Sequence, residues 1–382
     1  MNILGIYGAV GWDGNIPWMT WWVHGSGATL IMNGELKTAI NEERFSRIKY
    51  DGTYPKLSIQ NILDHNKLTK YDIDLVVYVG SACMINFELT QAGYTTYKIQ
   101  EYFPNCKVEF LSHHNAHAAA TFYTSGFEEA NILTFDGAGD LELQKNNKWA
   151  TTHTKFSQGK DLTLTEVTSW CVNIFPMYQG FGILYNYFCY LIFKRKMNLA
   201  EIVEELRAII GESTPGKIMG LAAFGDYQKI DLPDMFNLEM EMQRNSNIGW
   251  GERFPQLHNS KELQAYSEED LMKLNPEDLA AWAQHQFEKY LLLFLSNIPK
   301  KIKRDNLCLG GGCAINILAN SKIIEQGIYK NVHVNTAPND DGLHFGAALY
   351  KAAEYENKIT LPDDIGYLGI PYTDEDIEAA LC

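Results

Sequence analysis

The sequence predicts an α/β fold with two related lobes. Short apolar runs of strand character alternate with helical segments, which is typical of sheets covered by helices. The order of strand, glycine-containing turn and β-hairpin occurs twice, starting near residues 2 and 130. Although the residues themselves are not repeated, this doubled order indicates two lobes of similar construction.

The first lobe begins with the strand "NILGIY" at residues 2–7, which is followed by a glycine. The segments "GATLIM" and "ELKTAI" flank Asn33-Gly34, the strongest two-residue signal for a hairpin. The strands "DLVVYV" at 74–79 and "VEFL" at 108–111 come next, and a plausible helix precedes each of them.

The second lobe begins with "ANILTF" at residues 130–135, and residues 145–148 then join "LELQ" to "WATTHT" in a hairpin. After residue 176 the chain is expected to be mostly helical. Its apolar run "FGILYNYFCYLIF" predicts a core helix, because 13 residues are too few to cross a bilayer. A strand, a turn and a helix return over residues 306–327, and a last strand at 332–335 leads into a final turn and helix.

Composition limits the partners and the location of the protein. The net charge of −15 repels phosphate backbones, so binding to long DNA is not expected, whereas a single nucleotide or another small substrate is compatible with it. The N-terminus has no basic leader segment, and the seven cysteines contain no CxxC pair. These features predict a cytoplasmic protein with reduced thiols and no membrane anchor.

Three histidines lie within five positions at the start of the alanine-rich segment "LSHHNAHAAA". In a helix with Ser112 as its N-cap, His113 and His117 lie on one face with their Cβ atoms about 5 to 6 Å apart. Two imidazoles at this separation can share one metal ion. Histidines bonded to backbone carbonyls have the same spacing, so the pair alone leaves both interpretations open.

Acidic residues lie at two other turns. Asp136 follows a strand beside Gly137 and Gly139, where a carboxylate meets whatever the strand ends bind. Asp340 and Asp341 precede a helix and are equally well explained as helix caps.

Two glycine-containing turns precede apolar segments. In "LGGGCAIN", Gly310, Gly311 and Gly312 let backbone N–H groups approach a phosphate or adenosine closely, although a tight turn also uses glycine. In "TPGKIMGLAAFGD", Lys217 lies between two glycines, which predicts another turn.

Six motifs are distributed over nearly all of residues 1–372: "NEERFSRIKYD", "LSHHNAHAAA", "LTFDGAGD", "GKIMGLAAFGD", "GGGCAINILANSKI" and "NDDGLHFGAALY". In this order and at these separations they resemble the N-terminal domain of the O-carbamoyltransferases of nodulation-factor and antibiotic biosynthesis. The resemblance implies an ASKHA-type α/β fold, related to the tRNA threonylcarbamoyl-transfer proteins. In that fold two actin-like or sugar-kinase-like lobes surround a central nucleotide and metal cleft.

The resemblance also implies a domain organisation. The first lobe spans residues 1–128 and has a tryptophan-rich loop at 9–23, and the second lobe spans 129–372 and includes a helical insertion. Residues 373–382 are expected to be the stub of a linker to a YrdC-like domain that these residues do not include. In full-length relatives that domain makes carbamoyl-adenylate from ATP and carbamoyl phosphate. A separate YrdC-like subunit, a different donor, or loss of the first half-reaction are the alternatives.

Individual residues match functional positions of the family. His113, His117, Asp136 and Asp340 match the ligands of a divalent iron, for which another divalent metal is the alternative. Lys49 matches a lysine near the activated intermediate, and otherwise it is a solvated surface lysine. The residues assigned to the nucleotide side are Gly137, Gly139, Gly182, Lys217, Gly310, Gly311, Gly312 and Asn316.

His24 matches the histidine of the family's HD-x-S-A segment and is the candidate general base or carbonyl-orienting group. Two features of this region depart from the family pattern. Gly25 stands where the family has aspartate, and the preceding stretch "GWDGNIPWMTWW" is longer than usual. The tryptophans form either a stacking wall for a planar or sugar acceptor, or a lid that packs on the lobe.

The resemblance therefore predicts the transfer half of an O-carbamoyltransferase reaction. An acceptor hydroxyl attacks metal-bound carbamoyl-adenylate, which releases AMP and a carbamate ester. The acceptor is expected to be an aminoglycoside or another sugar, or a hydroxymethylated nucleotide as in modified DNA. An ASKHA-fold kinase or ATPase and a non-catalytic ATP-binding subunit are the alternatives from other classes, and the complete metal motif argues against both.

Overall fold

The computed structural model describes residues 1–9, 23, 25–80, 89–137, 139, 141–143, 149–173, 180–194, 213–242 and 253–381. Most of the tryptophan-rich loop (residues 10–22) and His24 lie outside the described residues. The chain separates into two compact units, one formed by residues 1–116 with 341–382 and the other by residues 117–340. The lobe boundaries at residues 128 and 372 stay a prediction from the sequence.

The described residues form strands and α-helices that are numbered here in chain order. The strands are β1 (Asn2–Tyr7), β2 (Gly27–Met32), β3 (Glu35–Asn41), β4 (Leu75–Val79), β5 (Lys107–Leu111), β6 (Glu129–Phe135), β7 (Leu141–Leu143), β8 (Trp149–Lys160), β9 (Thr163–Asn173), β10 (Phe236–Met242), β11 (Arg253–Asn259), β12 (Asn306–Gly310) and β13 (Asn331–Val334). The helices are α1 (Glu43–Ser46), α2 (Lys56–His65), α3 (Leu89–Tyr102), α4 (His113–Tyr123), α5 (Phe181–Lys194), α6 (Ser213–Leu221), α7 (Lys261–Gln264), α8 (Glu268–Met272), α9 (Pro276–Ser296), α10 (Ile317–Glu325), α11 (Leu343–Glu356) and α12 (Asp374–Leu381).

The first unit contains a mixed sheet in the order β3-β2-β1-β4-β5. Its central strand β1 is antiparallel to β2 and parallel to β4, and β5 continues the sheet in parallel with β4. The β2–β3 hairpin turns at Asn33 and Gly34, whose φ angles of 51° and 76° are those that a two-residue hairpin turn requires. The predicted strands and hairpin of this region are therefore confirmed.

The second unit contains a sheet in the order β13-β12-β6-β8-β7, with β9 paired to β8. Its central strand β6 is antiparallel to β8 and parallel to β12, which in turn is parallel to β13. Both sheets thus have a central strand with an antiparallel hairpin on one side and two parallel strands on the other. The doubled order of elements in the sequence is present in both sheets.

The described residues between 176 and 305 are mostly helical, as predicted, with α5, α6 and α9 as the longest helices. The antiparallel hairpin of β10 and β11 interrupts them and was not predicted. The alternation of apolar and polar residues in "FNLEMEM" is the signal for a strand there. Lys217 lies in helix α6 and not in a turn. Buried packing of Ile218 on the core outweighs the low helix propensity of the neighbouring glycines.

Aromatic packing fixes the start of α5 against the end of β6. The Phe181 ring lies 5.9 Å from that of Phe135 and 5.3 Å from that of Phe287, both in edge-to-face geometry. Because Phe135 ends β6, these contacts hold the residues that follow it, beginning with Asp136, beside the first turn of α5. None of the described helices is long and apolar enough to cross a bilayer.

Helix α11 packs on β1, β2 and β4 of the first unit and buries His344 there. Its Nδ1 lies 2.7 Å from Thr29 Oγ1, and a Cβ at residue 27 would lie 2.4 Å from its Nε2. Burial lowers the pKa of His344 to about 3. The imidazole is therefore neutral in the folded chain at neutral pH.

We expect this histidine to reduce stability as the pH falls. An unfolded histidine binds a proton near pH 6.5 but folded His344 does not, so its contribution is complete above pH 6.5 and is lost as the pH falls toward 3. At pH 5 the loss is about 2 kcal/mol. Urea denaturation of the wild type and His344→Gln at pH 7 and pH 5 measures it. The variant should lose about 2 kcal/mol less than the wild type, and equal losses in both proteins would contradict the prediction.

Candidate metal centre

Helix α4 carries His113 and His117 one turn apart on the same face, as the sequence predicts. Ser112 stands directly before the helix, and its carbonyl accepts a hydrogen bond from the Ala116 N–H at 3.0 Å. Its buried hydroxyl has no hydrogen-bond partner among the described residues. The expected side-chain cap is therefore not formed, and the helix start depends on backbone bonding.

Two aspartates converge on His117. Asp136 directly follows β6, and Asp340 opens the 3-10 turn Asp340–Gly342 before α11. His117 Nε2 lies 3.2 Å from Asp136 Oδ2 and 3.5 Å from Asp340 Oδ1. With His113 included, each of the four residues offers one ligand atom within 4.8 Å of the others.

This donor set fits a divalent metal ion. Ligand atoms held about 2.0 to 2.2 Å from one ion lie about 3 to 4.4 Å from each other. Two imidazole nitrogens and two carboxylate oxygens suit iron, zinc and related divalent ions. His117 is only 1% exposed and Asp340 is 5% exposed. Buried carboxylates lose favourable hydration, and a bound cation would offset this loss of hydration free energy at the cluster.

Backbone N–H groups orient Asp136. The Gly137 N–H donates to Oδ1 at 2.6 Å, and the Gly312 N–H donates to Oδ2 at 2.9 Å. A carboxylate oxygen can accept more than one bond, so both oxygens can still face a cation. Charge-assisted bonds of this kind fix the direction of a metal ligand.

The predicted glycine positions surround these ligands. A Cβ at residue 182 would lie 2.5 Å from backbone atoms of Asp136 and Gly137. Since real Cβ atoms do not approach backbone so closely, only glycine lets α5 begin at this distance from the end of β6. Gly139 lies on the same turn, and its N–H donates to the Thr152 carbonyl at 2.7 Å.

The end of β12 and the turn that follows it also approach the cluster. A Cβ at residue 310 would lie 3.1 Å from the His117 carbonyl oxygen, and one at residue 312 would lie 2.9 Å from Asp136 Oδ1. Gly311 has a φ angle of 91°, which glycine adopts without strain. The sequence motif thus brings backbone close to two of the four candidate ligands.

Two titratable groups beside Asp136 were not singled out from the sequence. Burial raises the pKa of the Cys313 thiol well above its usual value, and the charge of Asp136 raises it further. Burial lowers the pKa of His153 to about 4, and the His153 carbonyl accepts a hydrogen bond from the Asp136 N–H at 2.9 Å. Both side chains are therefore neutral at neutral pH.

The other predicted residues have different surroundings. Lys49 is exposed, and its ammonium lies 4.8 Å from the centre of the Tyr50 ring. Lys217 is exposed on α6. The Asn316 side chain accepts a hydrogen bond from the Ala319 N–H at 3.1 Å and so caps α10. The roles of these residues toward a nucleotide or intermediate stay predictions.

Gly25 has a structural reason to be glycine. Its φ angle is 74°, and a Cβ there would lie 2.2 Å from Asp341 Oδ1. Asn41 Nδ2 donates to the carbonyl of Asp341 at 3.1 Å and to that of Gly25 at 3.4 Å. A side chain at residue 25 would therefore need a strained backbone conformation and a shift of the Asp341 carboxylate.

The chain is similar in sequence to known proteins and in fold to a solved structure. The chain is 27% identical to the uncharacterized protein sll1178 of Synechocystis sp. over 408 residues, which cover 94% of this chain and 61% of that protein. It is 27% identical to the nodulation protein NolNO of Sinorhizobium fredii over 352 residues, covering 87% of this chain and 47% of that protein. The chain thus spans roughly half to three fifths of the length of these relatives.

The fold is also found in a solved structure. HypF from T. kodakarensis is similar with a TM-score of 0.51 and 14% sequence identity, over 94% of this chain and 48% of that chain. The family model described as the carbamoyltransferase N-terminus matches residues 94–349. This match includes all four residues of the candidate metal cluster and most of the chain. The chain belongs to the carbamoyltransferase N-terminus family.

Proposed function

We propose that the chain transfers a carbamoyl group from carbamoyl-adenylate to an acceptor hydroxyl. The observation that supports this best is the convergence of two histidines and two aspartates within 4.8 Å in a member of this family. In the reaction the acceptor oxygen forms a bond to the carbamoyl carbon, and the bond from that carbon to the phosphate oxygen breaks. AMP leaves, and the hydroxyl proton passes to a base.

The cluster and the glycine-containing turns beside it are proposed to have different roles in the reaction. His113, His117, Asp136 and Asp340 would hold a divalent iron or another divalent cation, which would supply Lewis acidity and a template for the donor. The N–H groups of Gly137 and Gly312 keep the Asp136 carboxylate in one orientation. Backbone N–H groups of the glycine turn after β12 are proposed to bind the adenylate phosphate, since turns before a helix favour anions.

We also infer the ASKHA-type architecture for both units. The equal arrangement of the two sheets supports it, with a central strand, an antiparallel hairpin and two parallel strands in each. In this interpretation the residues after β6 and after β12 lie on the nucleotide side. The carbamoyl-adenylate is then expected to bind at the carboxyl ends of these strands, where ligands bind in other open α/β sheets.

The acceptor is proposed to be a small molecule. The net charge of −15 favours a cationic acceptor such as an aminoglycoside over long DNA. A hydroxymethylated nucleotide is the second candidate, since tryptophans of the loop before His24 can stack on a base.

The activation step is proposed to require a YrdC-like activity, on the same polypeptide or on another. The matched family model describes an N-terminus, and this chain spans 61% and 47% of two relatives. We expect no carbamoylation when the purified chain receives only ATP and carbamoyl phosphate. Synthetic carbamoyl-adenylate, or a YrdC-like protein supplied in trans, should restore transfer to an aminoglycoside or to 5-hydroxymethyl-deoxycytidine.

Each failure of that experiment has a defined meaning. Carbamoylation by the chain alone from carbamoyl phosphate and ATP would contradict the division of labour. ADP with a phosphorylated acceptor would identify a kinase. Binding of ATP without any product and without bound metal would support a regulatory subunit.

His24→Ala tests the proposed base. If a neutral histidine accepts the hydroxyl proton, the variant should lose about 10²-fold or more in kcat while its nucleotide affinity stays the same. Steady-state transfer from carbamoyl-adenylate, with nucleotide binding measured by calorimetry, separates the two quantities. Normal turnover together with a lower melting temperature would assign His24 a structural role.

A further inference from the structure

A buried group of polar side chains lies against the turn that follows β12. Gln284 of α9 and Asn316 form a reciprocal amide pair: Gln284 Nε2 donates to Asn316 Oδ1 at 3.0 Å, and Asn316 Nδ2 donates to Gln284 Oε1 at 2.9 Å. The Tyr185 hydroxyl donates to the same Gln284 oxygen at 3.0 Å. Gln284 Nε2 also donates to Glu288 Oε1 at 2.8 Å, and Glu288 pairs with Lys322.

This group is buried and internally satisfied. Gln284 and Glu288 are each 5% exposed, and Asn316 is 9% exposed. Both polar atoms of the Asn316 side chain bond within the protein, because its oxygen also caps α10. Removing one member would leave the others as unpaired buried groups, which is unfavourable in the folded chain. Such a network holds its members in one geometry.

The network connects to the candidate metal centre through a single short turn. The 3-10 turn Gly312–Ile315 runs directly into Asn316, whose N–H donates to the Cys313 carbonyl at 3.1 Å. The first residue of that turn, Gly312, donates its N–H to Asp136 Oδ2. A shift of Asn316 therefore displaces a hydrogen bond on the carboxylate of Asp136.

We propose that Gln284 is a positioning residue for the metal centre, acting through Asn316 and the turn Gly312–Ile315 on the carboxylate of Asp136. The inference rests on the proposed metal-dependent function but concerns the binding of the metal alone. It assigns Asn316 an indirect role, in place of the direct nucleotide contact that the family resemblance implies. Substitution of a residue that orients a metal ligand without touching the metal typically changes metal affinity by about 10- to 100-fold.

Cobalt(II) is the probe, since its visible absorption reports ligand geometry without any turnover. Gln284→Leu keeps the volume of the side chain and removes all of its hydrogen bonds. We expect its Co²⁺ affinity to fall about tenfold or more, with an altered visible spectrum. Asn316→Ala should do the same, and the double variant should be no worse than the weaker-binding single variant, because both act through one path.

Gln286→Leu is the matched control. Gln286 lies on the same helix with the same 5% exposure, but it bonds to Asp234 and to the Met235 N–H, away from the turn. Its variant should lose stability while its Co²⁺ affinity and spectrum stay those of the wild type. If Gln284→Leu does not fold, Asn316→Ser keeps a capping hydroxyl, removes the amide donor, and should still weaken Co²⁺ binding.

The outcomes separate the inference from the proposed function. Wild-type Co²⁺ affinity and spectrum in Gln284→Leu or in Asn316→Ser would overturn the positioning role, as would equal weakening in Gln286→Leu. A wild-type chain that binds no Co²⁺ would overturn it as well. Tight Co²⁺ binding that depends on Gln284, without carbamoyl transfer, would support the positioning role while refuting the proposed reaction.

Discussion

His117→Ala should abolish stable metal binding and lower carbamoyl transfer by about 10²-fold or more, since Lewis acid assistance contributes several kcal/mol and each 1.36 kcal/mol is tenfold in rate. His117 Nε2 lies 3.2 Å from Asp136 Oδ2 and 3.5 Å from Asp340 Oδ1, so its imidazole faces both carboxylates of the cluster. Without it, two carboxylates face each other with one imidazole left to complete the site. Metal content after dialysis against a chelator and transfer from carbamoyl-adenylate measure the two losses.

The neighbouring His114 supplies a matched control on the same helix. It is buried to the same degree, at 2% exposed, but it does not belong to the group of four ligand atoms. His114→Ala should therefore keep its metal even if it loses stability through the cavity left behind. Loss of metal in His114→Ala with retention in His117→Ala would show that the cluster is not the metal site.

Local chemistry accounts for how much of the fold the sequence could predict. Asn33-Gly34 predicts its hairpin because few residue pairs adopt positive φ angles at both positions, and the structure confirms it. The strand β10 was not predicted although "FNLEMEM" alternates strictly, because the surrounding region has a mostly helical pattern. Gly216 and Gly220 led to the prediction of a turn where the structure has helix α6, because burial of Ile218 stabilises the helix there.

The candidate site could be predicted only in part from local patterns. The helical period places His113 and His117 on one face, but no local rule brings Asp136 and Asp340 to them. Their approach to His117 depends on how distant parts of the chain fold together, and the family resemblance was needed to connect them. Even the resemblance gave no sign of Gln284. The signal for it was a glutamine and a glutamate one turn apart in the buried, apolar helix "LAAWAQHQFEKYLL".

Gly25 illustrates a dependence that neither pattern nor resemblance reveals. The glycine at this position was visible in the sequence, but its surroundings were not. An added Cβ there would meet the Asp341 carboxylate, which lies 316 positions later in the sequence. Substitutions at residues 25 and 341 are therefore expected to be coupled, because neighbouring groups that compete for one volume do not act independently.

Gly182→Ala should lower the free energy of unfolding by about 3 kcal/mol or more, because the added methyl would force backbone and not a flexible side chain to move. The new Cβ would lie 2.5 Å from the carbonyl of Asp136 and from the N–H nitrogen of Gly137. Relief of this contact requires α5 or the end of β6 to shift. Since Asp136 is one of the candidate ligands, we also expect weaker Co²⁺ binding in whatever fraction still folds.

The matched variant is Gly216→Ala in helix α6, where the same methyl group should have the opposite effect. A Cβ at residue 216 meets no described atom within 4 Å. Alanine loses less conformational freedom than glycine on helix formation, so this variant should be more stable by about 0.5 to 1 kcal/mol.

Urea denaturation of both variants, with Co²⁺ titration of each, tests the pair. If both substitutions change the free energy of unfolding by equal and small amounts, a Cβ at residue 182 does not come within 2.5 Å of the backbone of Asp136. Opposite signs, with metal binding impaired only in Gly182→Ala, would tie the glycine to the ligand that it adjoins.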